Sequence, residues 1–115
     1  MLDHEKLDVY QCAIRFVAMA FPLAGRLPRE FRPLAEQFRR ASLSIPLNIA
    51  EAGGKVSIPD RAHFYAIARG SAMECGAIVD VAAVLKLSPE DLVGAKELLE
   101  RIVSMLTRMC RPAQT

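Results

Sequence analysis

Gln37-Phe-Arg-Arg-Ala-Ser-Leu-Ser-Ile-Pro-Leu-Asn-Ile-Ala-Glu-Ala-Gly53 reads as a helix carrying only a thin polar stripe. On a 3.6-residue period, Gln37, Arg40, Ser44, Asn48, Glu51 and Lys55 line up along one edge. Leu34, Phe38, Ala41, Ile45, Ile49 and Ala52 form an apolar face, and Leu43, Leu47 and Ala50 add a second one. A helix that is apolar on two sides needs partners on two sides, and a short chain offers few. The stretch predicts a helical bundle that also packs against copies of itself.

The rest of the composition agrees. The chain has 115 residues, 52% of them hydrophobic and 24% charged, which fits one globular domain spanning residues 1–115. A domain of this size buries only about two-thirds of its extended surface, so its apolar excess is better hidden in an oligomer than in water. A well-filled monomeric core rich in alanine is the competing reading.

Formal charge is +2, from 15 basic and 13 acidic residues, too balanced to signal nucleic acid by itself. The distribution says more. Arg26, Arg29, Arg32, Arg39 and Arg40 are opposed within their stretch only by Glu30 and Glu36. Planar guanidinium forks suit phosphate, so RNA or DNA is one candidate partner. A solvated helix start with local ion pairs explains the same residues, and no aromatic interleaving suggests base stacking.

Cys12, Cys75 and Cys110 form no Cys-x-x-Cys pair and read as reduced, mostly buried thiols. The opening MLDHEKLD lacks a signal peptide's apolar core. The uncharged run from Ala41 to Ala50 falls short of the roughly 20 residues a membrane span needs. The expectation is a cytoplasmic protein with no membrane partner.

Four helical patterns follow one another. The first spans about 4–24, with Leu7, Tyr10, Ile14, Val17 and Phe21 as its stripe, Pro22 and Gly25 weakening its last turn. The second spans about 30–55, with Pro33 tolerated in its first turn. Pro46 interrupts it mid-course at a cost of about 3 kcal/mol, yet the apolar pattern continues in phase. That predicts a kinked helix, with Ser42 and Ser44 placed to satisfy freed carbonyls.

Gly53-Gly54 ends the second helix, and Ser57 with Pro59 and Asp60 starts a third over about 59–86. Its stripe is Phe64, Ala68, Ser71, Cys75, Ile78, Ala82 and Leu85, and Gly70 and Gly76 suggest close approach by a neighbouring backbone. Ser88, Pro89, Glu90 and Asp91 open a fourth over about 89–110, with Leu92, Ala95, Leu99, Ile102, Leu106 and Met109 as its core stripe. Residues after Pro112 are expected to fray. Short links between long amphipathic helices predict an all-α, antiparallel up-down-up-down four-helix bundle.

These residues carry a family likeness. Gln37 to Glu51 resembles the signature of the four-helix-bundle proteins encoded in intervening sequences of bacterial 23S ribosomal RNA genes. Phe64-Tyr-Ala-Ile-Ala-Arg-Gly-Ser-Ala-Met-Glu74 resembles that family's third-helix motif, and Leu7-Asp-Val-Tyr-Gln-Cys-Ala13 and the Leu27-Pro28 turn fit too. The likeness covers roughly residues 7 to 110. Ala52 stands where the family usually has glycine, and Ala72 where it usually has leucine. The resemblance implies a left-handed bundle assembled as a ring of five, in a family whose function is not established. More distantly related bundles accompany reverse transcriptases in diversity-generating retroelements as basic pentamers, and this chain is less basic than that role favours.

Catalytic constellations are thin. A di-metal bundle site needs two Glu-x-x-His motifs with further glutamates, and here there is a single Asp60-x-x-His63. Cys12 or Cys75 would need a histidine in reach, and His63 lies about three turns before Cys75 on the same helix. The expectation is no enzyme, no cofactor and no metal. Arg40, Ser44, Asn48 and Glu51, with Gln37, Arg69, Ser71 and Glu74, form the polar group of interest. Antiparallel pairing would let Asn48 and Glu51 approach Arg69 or Glu74. Buried polar groups must be hydrogen-bonded, so these residues either fix bundle register and a subunit interface or line a small binding site.

Overall fold

A computed structural model of the chain describes residues 1–85 and 89–111. Four α-helices carry it: α1 (Asp8–Arg26), α2 (Arg32–Gly53), α3 (Ile58–Val84) and α4 (Pro89–Met109). Among the described residues there is no strand, and no helix is long and apolar enough to cross a membrane.

The helix ends follow local chemistry. Leu7 is extended (φ −79°, ψ 132°), so α1 starts at Asp8 and the preceding Asp3–Lys6 forms a separate 3-10 turn. Gln11 ties the two together, its side-chain amide donating to the Glu5 carbonyl at 2.8 Å. Pro22 does not shorten α1. It lies on the exposed side with Ala18, so water can reach the Ala18 carbonyl that lacks its helical donor. The break comes at Leu27 (ψ 139°), forced out of helical geometry by Pro28, and α1 therefore runs to Arg26.

Phe31 precedes α2, and Pro33 sits in its opening turn, after a 3-10 turn at Arg29–Phe31. The helix is continuous past the buried Pro46 to Gly53. Pro46 has no N–H for the Ser42 carbonyl. The Ser42 hydroxyl donates to the Arg39 carbonyl at 2.9 Å, one turn before the carbonyl that Pro46 leaves without a helical donor. Ser57 caps α3, accepting from the Asp60 N–H at 3.2 Å. The expected cap Ser88, the expected helix end Lys86 and the tail after Pro112 lie outside the described residues.

Each helix packs against the next in sequence, and α4 returns to α1. Cross-helix contacts run in opposite senses: Gln37 meets Glu74 and Lys55 meets Phe64, while Arg69 meets Thr107 and Asp80 meets Lys96. The core at the bundle's centre includes Phe16, Ile45, Ile49, Cys75, Ile102 and Leu106, all fully enclosed. On α2 the expected face is the inner one, with Phe38, Ala41, Ile45, Ile49 and Ala52 buried and Leu34 half-buried. On α4 the expected stripe is buried from Leu92 to Leu106, Met109 being half-buried.

Helix α1 departs from expectation. Its core residues are Val9, Cys12, Ala13, Phe16, Ala20, Leu23 and Ala24, whereas Ile14 of the expected stripe is 44% exposed. The apolar arc of α1 is wide enough for two stripes, and the one holding small residues and Phe16 turns inward. Tyr10, Val17 and Phe21 lie half-buried at its edge.

Candidate functional site

The polar edge of α2 meets α3 along a seam. Ser71 Oγ donates to Ser44 Oγ at 2.8 Å, and the Asn48 amide donates to the same oxygen at 2.9 Å and to the Ser44 carbonyl at 2.8 Å. All three residues are half-buried, so each hydrogen bond replaces one to water that packing has removed. At one end of the seam Gln37 Nε2 donates to Glu74 Oε2 at 3.2 Å. At the other, Lys55 lies over the Phe64 ring, 5.0 Å from its centroid, and pairs with Glu51 at 3.4 Å.

The anticipated contacts of Asn48 and Glu51 with Arg69 or Glu74 are not made. Asn48 is held by Ser44 within its own helix, and Glu51 lies on the exposed side of α2. Arg69 faces the opposite neighbour, its Nε donating to Thr107 Oγ1 on α4 at 2.9 Å. Thr107, which in turn donates to the Val103 carbonyl at 2.7 Å, is the partner that sequence reasoning missed. A lone threonine in an amphipathic helix carries no signal of its cross-helix neighbour. Nor did the pairing of Lys96 with Asp80, which joins α4 to α3.

The arginines do not share one surface. Arg26, Arg29 and Arg32 are exposed around the α1–α2 turn, with Arg32 paired to Glu36 at 3.4 Å. Arg39 turns toward α1 and stacks over the Phe21 ring, 5.8 Å from its centroid. Arg40 is exposed on the outer face of α2, beside the 40% exposed Leu43 and 64% exposed Leu47.

The outer face of α3 is apolar as well. Ala66, Gly70, Met73, Ala77, Val81 and Val84 follow one another along it, all exposed. A Cβ added at Gly70 or Gly76 would meet nothing within 4 Å, so no backbone of the same chain accounts for either glycine. Between α3 and α4 runs a groove of about 460 Å³, floored by Ala72, Gly76 and Leu99 and rimmed by Asp80, Lys96 and Glu100.

Nucleophilic chemistry finds little here. Burial, and secondarily the Glu74 carboxylate, push the Cys75 thiol up to about 12, which keeps it protonated at neutral pH. His63 is exposed and stacks edge-on against Phe64. Among the described residues, no three His, Cys, Asp or Glu side chains gather as a metal site.

No curated protein matches the chain in sequence. A family model does, over residues 5–108, which takes in all four helices but for the last residue of α4. With a four-helix fold and a match of that length, the chain belongs to the 23S rRNA-intervening sequence protein family.

Proposed function

We propose that this chain is a non-enzymatic, homo-oligomeric bundle that acts by binding, with a nucleic-acid phosphate backbone as its partner. The observation that carries the self-assembly is the outer face of α3. Ala66, Gly70, Met73, Ala77, Val81 and Val84 leave one side of α3 apolar and open to solvent, and Gly70 and Gly76 have no steric role in the monomer. The reading includes a left-handed up-down-up-down wind, a bend at Pro46, a ring of five as the family resemblance implies, and a cytoplasmic setting.

For the partner, support comes from Arg26, Arg29 and Arg32 around one turn, repeated in every subunit of a ring. Repetition would raise a modest charge into a continuous basic rim. The test is binding of structured RNA, single-stranded RNA and duplex DNA at two salt concentrations, beside an Arg29→Ala/Arg32→Ala variant. Salt-sensitive binding that the variant loses supports the reading. Absence of binding at low salt overturns it and leaves a protein–protein scaffold.

A further inference from the structure

We propose that the outer stripe of α2 in one copy docks on the outer face of α3, and into the adjoining α3–α4 groove, of a second copy. The proposal rests on the homo-oligomeric reading above and says which surfaces meet.

The argument begins with charge spacing. Arg40 and Glu51 bracket the exposed stripe of α2, eleven positions apart; Arg69 and Asp80 bracket the Gly70, Met73 and Ala77 part of the outer face of α3, also eleven positions apart. At 1.5 Å per residue both pairs span about 16 Å. Laid antiparallel, Arg40 of one copy meets Asp80 of the next, while Glu51 meets Arg69. Laid parallel, both ends bring like charges together. The two helices therefore specify one direction.

The same register matches shapes. Leu43 falls opposite Ala77, beside the open floor at Gly76; Leu47 falls opposite Met73; Ala50 falls opposite Gly70. Leu43 thus meets a small residue, Leu47 meets the adaptable Met73 and Ala50 meets Gly70, so large and small side chains alternate across the contact. Within its own chain Glu51 pairs with Lys55, Arg69 donates to Thr107 and Asp80 holds Lys96, so the second copy adds to these contacts. Arg40 makes no ion pair among the described residues, and Glu100 on the rim beside Asp80 adds a second carboxylate for it.

A two-fold α2–α2 contact would also oppose Arg40 to Glu51. It would set protruding Leu43 and Leu47 against Asn48 and Ser44, both of which are engaged in the α2–α3 seam. Two unlike surfaces make a head-to-tail contact. Such a contact generates a ring where the rotation between copies closes.

Disulfide trapping tests this. Leu47→Cys and Met73→Cys are made singly and together in a Cys110→Ser background, then oxidised at low concentration. The expected result is a ladder of covalent oligomers from the double variant, a covalent dimer from the mixed single variants, and neither from a single variant alone. Cross-linking of either single variant to itself overturns the proposal in favour of a two-fold contact. Sedimentation of the unsubstituted chain separates the two levels. A monomer overturns the homo-oligomeric reading itself, and an oligomer in which the mixed variants fail to cross-link overturns only this contact.

Discussion

The hydroxyl of Ser71 on α3 donates to the hydroxyl of Ser44 on α2 at 2.8 Å, and that single oxygen also accepts from Asn48. One small side chain therefore links a helix to its neighbour and ties down an amide on its own helix. Half-buried, the group has little water to fall back on.

Ser44→Ala is expected to cost about 1–2 kcal/mol, because it strands the Ser71 hydroxyl and one bond of Asn48 together. Ser71→Ala removes only one bond and should cost less, about 1 kcal/mol. Urea midpoints of the two single variants and the double variant form the check. The double variant should be more stable than the sum of the singles predicts, and simple additivity would mean that the two hydroxyls do not interact.

Gly76→Ala is expected to stabilise the isolated chain by up to about 1 kcal/mol, since alanine restricts the unfolded backbone and its Cβ meets nothing within 4 Å. Gly70→Leu should leave the fold intact while abolishing self-association, because the proposed contact sets a second copy against Gly70. Circular dichroism on heating and sedimentation at matched concentration separate the two effects.

Cys75 carries a pH prediction. Its thiol is raised from 9.0 to about 12 in the fold, by burial first and the Glu74 carboxylate second. The unfolded chain releases this proton near pH 9 and the native chain does not. The contribution is thus fully present below pH 9 and lost as pH rises toward 12, amounting to up to about 4 kcal/mol across the window. The readout is a difference between two chains. The urea midpoint of Cys75→Ala should fall less steeply between pH 9 and 11 than that of the unsubstituted chain.

Much of this fold was legible in the sequence where apolar and polar residues alternate cleanly. The inner faces of α2 and α4 are the ones their periodicity marks. On α4 charged residues leave one arc to bury, and on α2 the longer apolar arc, through Phe38, Ile45 and Ile49, is the one enclosed while Leu43 and Leu47 stay exposed. Helix α1 was misread for the opposite reason: its apolar arc holds two stripes, and only packing against α2 and α4 selects the one through Phe16. Of the polar group, Gln37 and Glu74 meet across the seam, as do Ser44, Asn48 and Ser71. Arg40 and Glu51 are exposed and Arg69 turns to α4, and none of these pairs was legible. Rotation of α3 about its axis sends Arg69 to Thr107 and Glu74 to Gln37, and no spacing within one helix encodes that rotation.

Ile45 and Leu47 sit two positions apart on opposite sides of α2, and they give the sharpest contrast between fold and assembly. Ile45 is fully enclosed, so Ile45→Ala removes buried methylenes and leaves a cavity, at about 2–5 kcal/mol. A domain of this size is stable by only about 5–15 kcal/mol, so the loss should bring the urea midpoint down sharply. Leu47 is 64% exposed, and Leu47→Ala should move the stability of the isolated chain by no more than about 0.5 kcal/mol. Its effect should appear instead in the sedimentation coefficient, as a weaker assembly at equal concentration. A Leu47→Ala chain that unfolds as readily as Ile45→Ala would mean that the outer stripe of α2 belongs to the core of its own bundle. One that sediments like the unsubstituted chain would mean that the stripe faces only water.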